Sequence, residues 1–98
     1  MRCLAKLGEQ LEQAGDWGTA IEVYRRGLEA DNLAEPLYRG LMRSLAAAGD
    51  QAEALNAFRP CRALLSIVLR LKPSAETERL HREIVWSADV PRGSARTL

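Results

Sequence analysis

The chain is poor in β-branched residues, and what it has is scattered: Ile21, Val23, Ile67, Val68, Ile84, Val85 and Val90, with Thr19, Thr77 and Thr97. That leaves little material for a sheet. Aromatics make up only 5% of the chain, too few for a platform on which RNA bases stack. No apolar run approaches the roughly 18 residues of a transmembrane span. There is one histidine, His81, set among Arg79, Arg82 and Glu83 where solvation is the expected state. The two cysteines, Cys3 and Cys61, have no second Cys or His beside them in sequence, which argues against zinc and for buried, reduced thiols. No base stands near Ser44, Ser66, Ser74, Ser87 or Ser94, and no glycine-rich phosphate loop is present. Neither catalysis nor a cofactor is expected.

Charge of one sign is also lacking. Fourteen Lys and Arg face thirteen Asp and Glu, so no global field draws the chain to nucleic acid or membrane. The split is uneven: residues 1–58 carry net −3 and residues 59–98 net +4. It marks either a differently solvated surface or a mildly basic C-terminal face for an acidic partner or a DNA backbone. The opening residues are charged and helical in pattern, unlike a signal peptide, and their abruptness suggests that the natural chain continues upstream of Met1.

What is abundant is Ala, Leu, Arg and Glu, all strong helix formers. Ala14-Gly15-Asp16 recurs as Ala48-Gly49-Asp50, and the register holds around it: Leu7 with Leu41, Leu11 with Leu45, Ala20 with Ala54, Ile21 with Leu55, Tyr24 with Phe58. A period of about 34 residues made of two helices is the mark of a tetratricopeptide-type array. Gly15 and Gly49 suit left-handed helix ends, and Asp16 and Asp50 then cap the helices that follow, Asp50 with Glu53 as a capping box. Asn32 closes the second helix, Glu35-Pro36 opens the third, and Ser74 caps a fifth that starts at Ala75. Helices are thus predicted at about 2–14, 17–30, 35–48, 51–71 and 75–86. Glu22–Arg26, Glu35–Arg39 and Glu78–Arg82 are spaced for i,i+4 pairing. The predicted fold is all-α: a right-handed tetratricopeptide-like array of two helix-turn-helix repeats, about 1–34 and 35–71, plus a capping helix at about 75–86. Leu80, Ile84 and Trp86 are expected to pack that cap onto the fourth helix. Residues 1–86 form the domain and 87–98 a flexible tail.

Two features break the pattern. Pro60 falls inside the fourth helix, where it implies a kink or a break. The segment after it, Cys61 to Leu71, is apolar around most of its circumference. It is either buried against the third and fifth helices, or it leaves a flank (Leu64, Ile67, Val68 and Leu71) to dock another domain or a second copy. The inner groove of the array has Glu9, Glu12 and Gln13 beside Arg39 and Arg43, either a solvated face or a site for a short charged peptide.

Several stretches carry a family resemblance. Ala14-Gly15-Asp16-Trp17, then Ala20 to Leu28, Glu35 to Met42, Ala52 to Leu55, Cys61 to Leu65 and Lys72 to Thr77 together resemble the bacterial transcriptional activator domain over about residues 4 to 86. The Pro73-Ser74-Ala75-Glu76-Thr77 junction is more specific than the repeat itself. The resemblance implies a cytoplasmic, non-catalytic regulatory domain. Such domains usually follow a winged-helix domain, in antibiotic regulatory proteins and in large regulators carrying an ATPase. The implied partners are an upstream winged-helix or ATPase domain, a second copy, or the transcription machinery. No winged helix is present here, so direct sequence-specific DNA binding is not expected, nor is membrane association. The competing readings are a generic tetratricopeptide adaptor that takes a peptide in its groove, and nucleic-acid binding through Arg59, Arg62, Arg70, Lys72, Arg79 and Arg82.

Overall fold

A computed structural model describes residues 2–89, and its side chains from 4 to 86. Five α-helices follow one another: α1 (Arg2–Gln13), α2 (Trp17–Ala30), α3 (Glu35–Ala47), α4 (Gln51–Leu64) and α5 (Ala75–Asp89). A π-helical turn, Leu65–Leu69, extends α4. The fold is all-helical among the described residues. The side chain of Cys3 and most of the expected tail, from residue 90 on, lie outside them.

The 34-residue period reappears in the backbone. Gly15 and Gly49 take positive φ, 78° and 92°, which only glycine adopts without strain. The amides of Asp16 and Asp50 then reach back to the carbonyls of Leu11 and Leu45, at 2.9 and 2.8 Å. Each aspartate accepts from the amide three residues on, Asp16 from Thr19 and Asp50 from Glu53. Such caps contribute about 1 kcal/mol each. The three-residue turns fold α1 onto α2 and α3 onto α4. Asp31, rather than Asn32, caps α2, its amide bonding the Gly27 carbonyl at 2.9 Å; its carboxylate accepts the Leu33 amide, and the Asn32 carbonyl receives the Tyr38 hydroxyl. Of the three i,i+4 pairs, Glu35–Arg39 closes, at 4.0 Å.

The core follows the same register. Ala20 and Ala54 are fully buried at equivalent places, and Tyr24 and Phe58 fill the spaces between helices. α3 lies at the centre, in contact with α1, α2, α4 and α5. It accordingly buries Leu37, Tyr38, Gly40, Leu41, Met42, Ser44 and Leu45. Each large apolar side chain removed from water there stabilises the fold by about 1.5–3 kcal/mol. Leu7, the register partner of the buried Leu41, is instead 42% exposed.

Three expectations for the C-terminal half change. First, of the kink or break that Pro60 implies, the break is absent: α4 is one helix from Gln51 to Leu64. Second, regular α-helix ends at Leu64 rather than 71: the π turn follows, and Arg70 stops it in a left-handed conformation, φ 55°. The backbone amides of Arg70 and Leu71 both bond the Leu65 carbonyl. The buried Pro73 helps explain the ending, since a proline disfavours helix in the residue before it. Third, α5 packs on α4 and α3 through Ile84 and, more shallowly, Leu80, while Trp86 stays 70% exposed. Two residues past Ile84, Trp86 has turned away from the stripe that faces the core.

Candidate interaction surfaces

The groove residues do not act as one set. Glu9, Glu12, Gln13 and Arg43 surround a shallow depression of about 220 Å³, whereas Arg39 belongs to another cluster. Within the depression, Arg43 grips Glu12 with two hydrogen bonds, of 3.0 and 3.1 Å, a fork that matches a carboxylate. The Tyr24 hydroxyl donates to the same carboxylate. Burial, with Glu12 beside it, pushes the Tyr24 phenol far above its ordinary value, so it remains a donor. Burial works against the charge of Arg43, and Glu12 more than offsets this, so the guanidinium holds its proton more firmly than usual. The acid and the base expected to read a peptide therefore tie α1, α2 and α3 together. The ring of Tyr24 completes this knot. It lies against Gly8 of α1 and Gly40 of α3, so closely that a Cβ at either place would collide with it.

Arg39 serves the first turn of α5. Its guanidinium donates to the Thr77 hydroxyl at 3.0 Å and pairs with Glu76 at 3.6 Å. Glu35, one turn earlier on α3, accepts the Ser74 amide at 2.8 Å and the Thr77 hydroxyl at 2.6 Å. Ser74 is the cap expected of it, accepting the Thr77 amide at 3.3 Å. Burial alone would raise the Glu35 pKa. Hydrogen bonds from Thr77 and Ser74, with the charge of Arg39, outweigh it and hold the carboxyl below its ordinary value.

The apolar segment behaves differently. Leu65 points inward with Cys61 and Tyr38, and burial pushes the Cys61 thiol up to about 12, in keeping with an unreactive core cysteine. Leu64 is half-buried. Beyond it, Ile67 is 76% exposed, Val68 54% and Leu71 57%, with Leu69 also outside. The expected flank is thus exposed, and burial on most sides is not what this segment does.

His81, expected in solvent, stacks on Phe58 with ring centroids 3.8 Å apart and planes 17° from parallel. A signal for this was present: Thr77, His81 and Ile84 share one helical stripe, and the outer two are buried.

The family model of the bacterial transcriptional activator domain matches residues 1–85. The chain belongs to that family. The match takes in α1 to α4, the Pro73-Ser74 junction and most of α5, so the contacts of Glu35 and Arg39 with Thr77 lie inside the bacterial transcriptional activator domain. No curated protein and no solved structure matches the chain. Membership makes this a domain of transcriptional regulators, a regulatory rather than a catalytic family. No helix among the described residues is long and apolar enough to cross a membrane.

Proposed function

We propose that this bacterial transcriptional activator domain is a non-catalytic docking module, a right-handed tetratricopeptide-like array of two repeats closed by a capping helix over residues 1–86. It works in the cytoplasm by holding a neighbouring domain of its regulator, a second copy of itself, or the transcription machinery. The observation that carries this reading is the exposed aliphatic run Ile67, Val68, Leu69 and Leu71, joined to the core through Leu65. Aliphatic side chains clustered at one exposed place mark interaction surfaces more often than single exposed ones do. The groove has less to offer a peptide, because Glu12, Arg39 and Arg43 are engaged within the fold.

The test is Ile67→Glu combined with Val68→Glu, measured as transcription from a reporter under the regulator's control. Loss of regulation, with helix content and melting temperature unchanged, supports docking through this face. Unchanged regulation removes the face from the function.

A further inference from the structure

Three of the basic residues of the C-terminal half, Arg59, Arg62 and Lys72, meet at one place. Two clefts of about 430 and 400 Å³ share Phe58, Arg62 and Ser66. Phe58 belongs to their common wall, and His81, stacked on it, lines the larger cleft. Arg59, Arg62 and Lys72 bring three cations to the lining, against one carboxylate, Glu78. Among the described residues, none of these three cations has a carboxylate within 4.0 Å, whereas Arg39 and Arg43 do. The apolar rim is Ile67 in one cleft and Leu71 in the other.

We propose that this double cleft docks an acidic segment of a partner protein, with its carboxylates on Arg59, Arg62 and Lys72 and its aliphatic side chains on Ile67 in one cleft and Leu71 in the other. The proposal rests on the docking reading above and names the chemistry of the partner. Unpaired cations at a cleft rim attract an acidic segment and set its orientation, and burying the aliphatic rim then holds it. A DNA backbone would answer the cations but leave Ile67 and Leu71 in water, so the mixed lining fits protein better. The face offered at neutral pH includes an uncharged ring. Burial lowers the His81 pKa, Arg62 and Arg82 add to this, and Glu78 opposes it.

The test uses the 98-residue chain and two helical peptides of about 16 residues. One has Leu at i, i+3, i+4 and i+7 with Glu and Asp elsewhere; the other keeps the leucines and replaces every acid by Lys. Binding is followed by anisotropy and by the ring resonance of His81, the chain's only histidine and therefore a reporter of this cleft. The expected result is that the acidic peptide binds and shifts that resonance, and that binding weakens about tenfold or more in high salt. Arg62→Glu with Lys72→Glu, both exposed positions, should weaken it by about tenfold or more with the helix content intact, and the Arg62→Gln, Lys72→Gln pair should fall between. Equal binding of the Lys peptide at the His81 cleft would overturn the acidic partner while leaving docking in place. Failure of both peptides, or tighter binding of duplex DNA that Arg62→Glu abolishes, would overturn the proposal. The reporter assay with Ile67→Glu and Val68→Glu then decides separately whether the docking reading survives.

Discussion

The Thr77 hydroxyl donates to the Glu35 carboxylate at 2.6 Å across 42 residues of chain, and so fastens the first turn of α5 to the first turn of α3. Thr77 is fully buried and accepts from Arg39 as it gives to Glu35. Thr77→Val keeps the shape and removes both bonds. A half-buried carboxylate left one donor short costs about 1–3 kcal/mol, which urea unfolding would read as a lower midpoint at unchanged slope. A stability equal to that of the parent chain would mean that the latch is ornamental.

The same carboxylate sets an acid limb to stability. Glu35 titrates below its ordinary value in the folded state, so its contribution is complete above the unfolded value and disappears as pH falls through the folded one. His81, also lowered in the fold, adds a loss at higher pH, as falling pH passes from its unfolded value to its folded one. Melting temperatures followed from neutral pH downward should therefore fall in two stages. Glu35→Gln should flatten the lower stage and His81→Gln the upper. If neither variant alters the profile, these groups do not govern it.

Gly40 and Gly18 make a matched pair. A methyl group at Gly40 would strike the Tyr24 ring, which cannot swing aside while its hydroxyl is bound to Glu12. At Gly18 the same methyl meets nothing within 4 Å. Gly40→Ala should cost about 1–3 kcal/mol through overpacking, despite the helical preference for alanine. Gly18→Ala should gain a few tenths to about 1 kcal/mol. Thermal unfolding of the two variants should move in opposite directions.

Leu65 and Ile67, two positions apart on the π turn, should separate stability from docking. Leu65 is buried with Tyr38 and Cys61, so Leu65→Ala should cost about 2–5 kcal/mol. Ile67→Ala, at an exposed site, should change stability by no more than about 0.5 kcal/mol. Comparable losses at both sites would show Ile67 to be part of the core.

What could be read from the sequence was local or periodic. The Ala-Gly-Asp triplets, the Ser74 cap and the pairing of Tyr24 with Phe58 depend on spacing, and the backbone repeats them in place. What could not be read was which side chain answers which across the fold. Glu12 and Arg43 look like groove charges one at a time and become an internal tie only when α1 meets α3. The arrest of α4 at Leu64 was hidden as well, because an apolar helical pattern continues to Leu71 while the backbone changes to a π turn. Trp86 illustrates the same limit: hydrophobicity suggested burial, and its phase on α5 places it outside.

The most direct measurement is photocrosslinking in the source cells, with a benzophenone side chain at Val68 and, as a control, at exposed Glu22 on α2. The expected result is a discrete protein adduct from position 68 that is absent from position 22, and mass spectrometry of it identifies the docked surface. Equal labelling from both positions, or none from position 68, would contradict docking through this face.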